Sequence, residues 1–223
     1  MSRCFLLLIL TAVAAIALPA VAAEKSDLPL VFEDDFEKGA DAWQPTDADA
    51  WRISETDGGK VYNQFKNSTY RGPHRSPYNI SLVKGVSVGD FTLTVKVQST
   101  NKGAGAHRDM CLFFNYVDPA HFYYVHLGQR PDPHSSQIMI VNEADRKMIT
   151  NNKSPGVPWD DAWHTVKIVR RVKDGTIAIY FDDMDKPMMT AVDRTFTKGQ
   201  VGIGSFDDNG NWDDFKLHGT KTD

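Results

Sequence analysis

Beyond residue 23, no stretch of about ten residues keeps a helical apolar period. Short runs rich in Val, Ile, Phe, Tyr and Thr recur instead, cut by Gly, Pro, Asn and Asp. These runs predict strands at Leu30–Glu33, Trp51–Ile53, Lys60–Phe65, Ile80–Val83, Phe91–Gln98, Met110–Tyr116, His121–Leu127, Gln137–Asn142, Trp163–Arg171, Thr176–Phe181, Val201–Phe206 and Asp213–His218. A dozen strands and no helix in one domain require two packed sheets, as a sandwich or jelly roll, or else a closed barrel.

Alternation assigns faces. In "FTLTVKVQ", Phe91, Leu93, Val95 and Val97 leave by one side of the strand, and Thr92, Thr94, Lys96 and Gln98 by the other. In "WHTVKIVRR", His164, Val166 and Ile168 share a face. "KDGT" between two such runs is the strongest hairpin signal in the chain.

The first residues carry a different message. Arg3, the apolar run Cys4 to Leu18 and "ALPAVAA" predict a signal peptide over 1–23, cleaved after Ala23 or a residue earlier, with a noncleaved anchor as the rival reading, and a single domain over 24–223. The expectation is a secreted or periplasmic protein with no membrane insertion after signal removal, and a monomer. Removing Arg3 leaves 24 basic against 29 acidic side chains, a balance of −5 that disfavours nucleic acid and polybasic membrane binding. Cys111 then stands without a disulfide partner, and its apolar strand "DMCLFFNY" reads as core.

Several stretches together resemble a known superfamily. "WHTVKIVR", "IAIYFDD" and "GQVGIGSF…WDDFKLHG" resemble the C-terminal half of laminin-G-like domains, within the concanavalin A-like lectin/glucanase superfamily. "VFEDDFEKGADAW" resembles the start of exported bacterial 3-keto-disaccharide hydrolase-type domains and carbohydrate-binding modules. The resemblance implies an all-β, two-sheet antiparallel jelly roll of concanavalin A-like type, with carbohydrate as partner. Its motifs are structural and shared by many functions. The glucanases of the superfamily carry alternating acids on one strand, and no predicted strand here does. Jelly-roll alginate lyases use a Gln-x-His, but here "QIM" places Met139 at the histidine position.

The densest polar sequence is "HFYYVHLGQRPDPH", residues 121–134. His121 and His126 are an odd number of residues apart, so a regular strand sends them to opposite faces, which argues against one shared metal ion. Phe122, Tyr124 and His126 share a face. On the preceding strand Asp109, Cys111, Phe113 and Asn115 do likewise, and His107 and Arg108 stand at its edge. If the strands pair, Asp109, Asn115, Tyr124 and His126 line one concave sugar-facing surface. Gln129, Arg130 and Arg146 add ligand-binding groups from neighbouring loops. A catalytic version, as a glycoside hydrolase or polysaccharide lyase, would use His126, Tyr124, His107 and Arg108 for proton transfer and charge stabilisation. Plain half-wet strand chemistry, or a protein-binding adhesion or scaffold domain, fits the same residues. The polar segment 67–79 is expected either to overhang this cleft or simply to connect two strands.

The ends of the chain offer a second feature. "FEDDFE" and "NGNWDDF" place Asp35, Glu37, Asp213 and Asp214 where first and last strands run side by side. Related carbohydrate-binding modules hold a structural calcium there, and hard cations take such oxygen ligands. Solvated acids guarding an edge strand would look the same.

Overall fold

The computed structural model describes residues 27–222, so the expected signal peptide lies outside the described residues. Among the described residues, fifteen strands run in chain order. They are β1 (Leu30–Asp34), β2 (Trp43–Pro45), β3 (Trp51–Thr56), β4 (Gly59–Gln64) and β5 (Asn79–Val83); β6 (Val88–Ser99), β7 (Asp109–Asp118), β8 (His121–Gly128), β9 (Gln137–Asn142) and β10 (Lys147–Met148); then β11 (His164–Arg171), β12 (Thr176–Phe181), β13 (Met189–Val192), β14 (Gln200–Ser205) and β15 (Gly210–Lys221). One sheet has the order β13-β12-β11-β6-β15-β4-β3, with β1 also paired to β15; the other runs β10-β9-β8-β7-β14-β5-β2. The pairings within both sheets are antiparallel, giving the concanavalin A-like jelly-roll sandwich.

Every predicted run coincides with a strand, give or take a few residues at the ends. The three strands that the sequence did not announce are β2, β10 and β13, each at the edge of its sheet. They have three, two and four residues, too few for an alternation to register. Short edges of this kind also limit sheet-to-sheet association.

The alternation in β6 is realised: Phe91, Leu93, Val95 and Val97 are buried between the sheets. They meet Val166 and Ile168 of β11, Trp212, Phe215 and Leu217 of β15, and Met110, Leu112, Phe114, Tyr123, Val125 and Leu127 of β7 and β8. Fully burying side chains of this kind contributes roughly 1.5–3 kcal/mol each. The Asp174-Gly175 hairpin turns where expected: Gly175 has φ of 81°, and a Cβ there would lie 2.9 Å from the Asp193 carbonyl.

A second apolar layer covers the other side of the β10-to-β2 sheet. Ile80, Leu82, Cys111, Phe113, Tyr116, Phe122, Tyr124, Met139 and Val141 form it, with Tyr70 packed against them. Tyr70 comes from the segment 65–78 that crosses from β4 to β5. That segment meets the turn between β9 and β10, where the Arg75 N–H donates to Asp145 (2.8 Å) and the Arg146 N–H to the Arg75 carbonyl (3.1 Å). The polar loop therefore does overhang this face.

Candidate functional site

Register decides which groups converge. On the outer face of the β10-to-β2 sheet, Cys111 of β7 stands directly opposite His126 of β8, and Phe113 opposite Tyr124. Asp109 lies at the start of β7, two residues from Cys111 and so on the same face. Its Oδ2 is 3.4 Å from His126 Nε2, and both side chains are 7 % exposed. Beyond β14, Phe206 lays its ring parallel to His126 at 5.9 Å between centroids. Arg146 covers the assembly, its guanidinium 4.1 Å above the Phe206 ring. It donates to the Tyr124 hydroxyl (3.3 Å) and to His126 Nδ1 (3.4 Å).

These contacts fix the proton on His126. An arginine can only donate, so Nδ1 supplies the lone pair and Nε2 carries the hydrogen toward Asp109. Both ring nitrogens are thus engaged. The Tyr124 hydroxyl is fully buried, and burial pushes it well above its ordinary range.

The carboxylates crowd one another. Asp109 Oδ1 accepts from the Phe206 N–H (2.8 Å), while the Asp109 N–H donates to Asp208 (3.1 Å). Asp207 reaches solvent at the mouth, yet its carboxyl is pushed upward by partial burial and by the adjacent Asp109 carboxyl, with His126 and Arg146 pulling the other way. Burial likewise raises Asp208. Cys111 is fully buried, and burial followed by Asp109 pushes its thiol well up. The mouth is therefore Arg146 and Asp207, flanked by Tyr78, whose ring lies 4.9 Å from that of Phe206. Arg71 in turn sits 4.1 Å above Tyr78.

The expected site is thus assembled in part. Asp109, Tyr124, His126 and Arg146 come together, but beneath a roof and not along an open concave wall. Asn115 is not among them. It adopts φ of 43° at a bulge in β7, so Tyr116 continues the outer face. The Asn115 side chain donates instead to the Val88 carbonyl at 3.3 Å. Arg108 is a structural clamp: it donates to the Asn101 and Asp160 carbonyls and to Asp161 Oδ1 (2.7 Å), which holds the Asp161 carboxyl below its ordinary range. His107 is exposed at the end of the 3-10 turn Lys102–His107 and makes no hydrogen bond to the cluster. Gln129 and Arg130 lie in the loop after β8, also with no hydrogen bond to it. Sequence reasoning missed Asp207, Phe206 and the part played by Cys111. Strand parity already placed Cys111 beside Asp109; only the β7–β14 pairing, non-local in sequence, brings Phe206 and Asp207 alongside.

The terminal acids do not share one focus. Asp34 accepts from Phe36 N and Trp43 Nε1, Asp35 from Glu37 N, and Glu37 from Lys60 N. Asp214, with φ of 47° at a bulge in β15, pairs with Lys96 at 2.6 Å. Glu37, Asp35 and Asp214 line an open recess of about 430 Å³, which Asp213 does not join. Among the described residues, Asp109, Cys111 and His126 are the one group of three ligand types whose donor atoms lie within 4.8 Å of each other. A calcium ion taking Asp214 Oδ2 as a ligand would compete with Lys96 for it.

No protein-family model matches the sequence, and no curated protein matches it. Solved structures do. The carbohydrate-binding module CBM66 from Bacillus subtilis superposes with a TM-score of 0.57 at 17 % identity, covering 79 % of this chain and 95 % of its own. Domain 4 of AbnA, an extracellular GH43 arabinanase from Geobacillus stearothermophilus solved with arabinotriose, gives 0.55 at 10 % identity over 88 % and 95 %. The Lotus tetragonolobus seed lectin gives 0.51 at 11 % over 86 % and 99 %. The chain has the fold of the lectins and carbohydrate-binding modules. At these identities the likeness speaks for the fold alone.

Proposed function

We propose that the protein binds carbohydrate at the mouth formed by Arg146 and Asp207. The observation that supports this is the Arg146 guanidinium lying 4.1 Å above the Phe206 ring, with the exposed Asp207 next to it and the half-buried Tyr78 ring 4.9 Å from Phe206. A guanidinium and a carboxylate beside a half-buried tyrosine edge suit the hydroxyls of a sugar, while Phe206, stacked between His126 and Arg146, holds the arginine in place. The fold shared with CBM66 and with the arabinanase domain holding arabinotriose agrees with this reading.

Binding is favoured over catalysis. A retaining glycosidase needs two carboxyl groups about 5 Å apart, or further for inversion. Asp109 and Asp207 are instead in hydrogen-bonding contact. His126 has no free lone pair to act as base, and Tyr124 is closed off from solvent.

The test is a glycan array that includes arabino-oligosaccharides, followed by calorimetry and by assays for reducing ends and for unsaturated products. The expected result is binding without turnover. Arg146→Ala should weaken it by about 10-fold or more, the loss of a charged hydrogen bond, and Asp207→Asn by less. Binding that survives both substitutions would place the sugar elsewhere. Product formation would restore the enzyme reading.

A further inference from the structure

We propose that Asp109, Cys111 and His126 form a transition-metal site of the zinc type beneath the Arg146 mouth. The donor set is a carboxylate, a thiol and an imidazole, all buried, with donor atoms within 4.8 Å of one another. Mixed S, N and O donors suit zinc or cobalt and not calcium, whose ligands are oxygens. The site is supported from rigid elements. Cys111 and His126 face each other across two central paired strands, and the Asp109 carboxylate is oriented by the Phe206 N–H. Asp207, in hydrogen-bonding contact with Asp109 and open to solvent, is the adjacent carboxylate available as a further oxygen donor.

Arg146 is the resident cation of this cluster. It donates to His126 Nδ1, so the Nε2 that faces Asp109 carries the hydrogen. For Nε2 to coordinate a metal, that hydrogen must move to Nδ1, and Arg146 must withdraw from it. The Cys111 thiol gives up its proton to solvent as the metal–sulfur bond forms. Metal and Arg146 are therefore alternatives at the same imidazole. Replacing Arg146 with a neutral side chain removes both a positive charge and the donor that holds His126 in the tautomer unsuited to coordination.

The experiment uses the tag-free chain in a Cys4→Ser background, so that Cys111 is the only thiol, stripped with chelator and titrated with cobalt(II) and then zinc(II). The expected result is a single cobalt with a near-ultraviolet thiolate-to-cobalt charge-transfer band, abolished by zinc. The band should be absent in Cys111→Ser, and affinity should fall by about 10-fold or more in His126→Gln and Asp109→Asn. Arg146→Gln should bind tighter, by about 10-fold. The wild-type spectrum reports thiolate ligation without any substitution, so misfolding of a variant does not decide the matter. A folded wild type that shows no charge-transfer band overturns the site. So does cobalt binding of equal strength in Cys111→Ser. Unchanged affinity in Arg146→Gln overturns the exchange between arginine and metal.

Discussion

The two faces of β8 differ in what they bury. Tyr123, Val125 and Leu127 point into the space between the sheets, and Phe122, Tyr124 and His126 point outward. Both sets are inaccessible, with five of the six at 0–1 % exposure and His126 at 5 %. The inner side chains of β8 are apolar but for the Tyr123 hydroxyl, which donates to Asp193 and accepts from the Phe196 N–H (3.0 Å), and the buried Arg170 guanidinium lies over the Tyr123 ring. The outer face buries the rings of Phe122 and Tyr124 and adds a thiol, an imidazole and the two buried acids Asp109 and Asp208 at one end. A sandwich needs only one dry face per sheet. The extra roof of Tyr70, Arg71 and the 143–146 turn encloses a second low-dielectric polar pocket on the outer face, with ionisable groups buried away from water.

The outer face is core in energy as well as in area. Phe122→Ala and Tyr123→Ala should each cost about 3–5 kcal/mol in urea unfolding. A loss under about 1 kcal/mol for Phe122→Ala would mean that the roof is not formed in solution.

The two tyrosine hydroxyls separate the faces at finer grain. Tyr123→Phe leaves Asp193 and the Phe196 N–H without their shared partner and should cost about 1–2 kcal/mol. Tyr124→Phe removes one acceptor from Arg146, which keeps His126 and the Phe206 ring, and should cost less than about 1 kcal/mol. Equal costs would show that the Arg146 contact is as fixed as the Asp193 tie.

Acid sharpens the same contrast. Burial alone would raise the Asp193 carboxyl, but hydrogen bonds from Tyr123 and Thr195 outweigh it and hold the group below its ordinary 3.8. A depressed carboxyl contributes stability above its unfolded value and loses it as pH falls through the folded one. Wild type should therefore lose more stability between about pH 5 and about pH 3 than Tyr123→Phe does. Parallel pH curves would remove Tyr123 as the cause. The Tyr123 hydroxyl itself, pushed up to about 12 mainly by burial, stays protonated throughout.

The smallest effect belongs to the terminal recess. The Lys96–Asp214 pair is about half exposed on both sides, so Asp214→Ala in the absence of calcium should cost less than about 1 kcal/mol. Calcium should raise the Tm of Lys96→Ala more than that of wild type, and not that of the Lys96→Ala/Asp214→Ala double variant. A wild-type shift as large as that of Lys96→Ala would show that ion and ammonium do not compete for Asp214.

Much of this was legible from residue order. Local alternation located the twelve longer strands, and the parity of "HFYYVHLG" assigned each side chain of β8 to its correct side. It also placed Asp109 and Cys111 on one face and separated His121 from His126; in the structure His121 turns to Asp118 (2.8 Å). Parity failed at Asn115, because a left-handed residue inserts a bulge and resets the count, and asparagine in a strand does not by itself announce one.

Sequence alone determined an all-β chain and, away from the bulges, the face of each strand residue, because both follow from a two-residue period along the chain. Tertiary structure decided the rest. Whether the outer face is open or roofed depends on where the 65–78 segment lands. Whether Cys111 is core filling or part of an ionisable cluster depends on which side chains the β14 end and the 143–146 turn bring to it. Those contacts join residues that are tens of positions apart. A local pattern carries no information about such distances; only the packing of one sheet's outer face against its own loops fixes them.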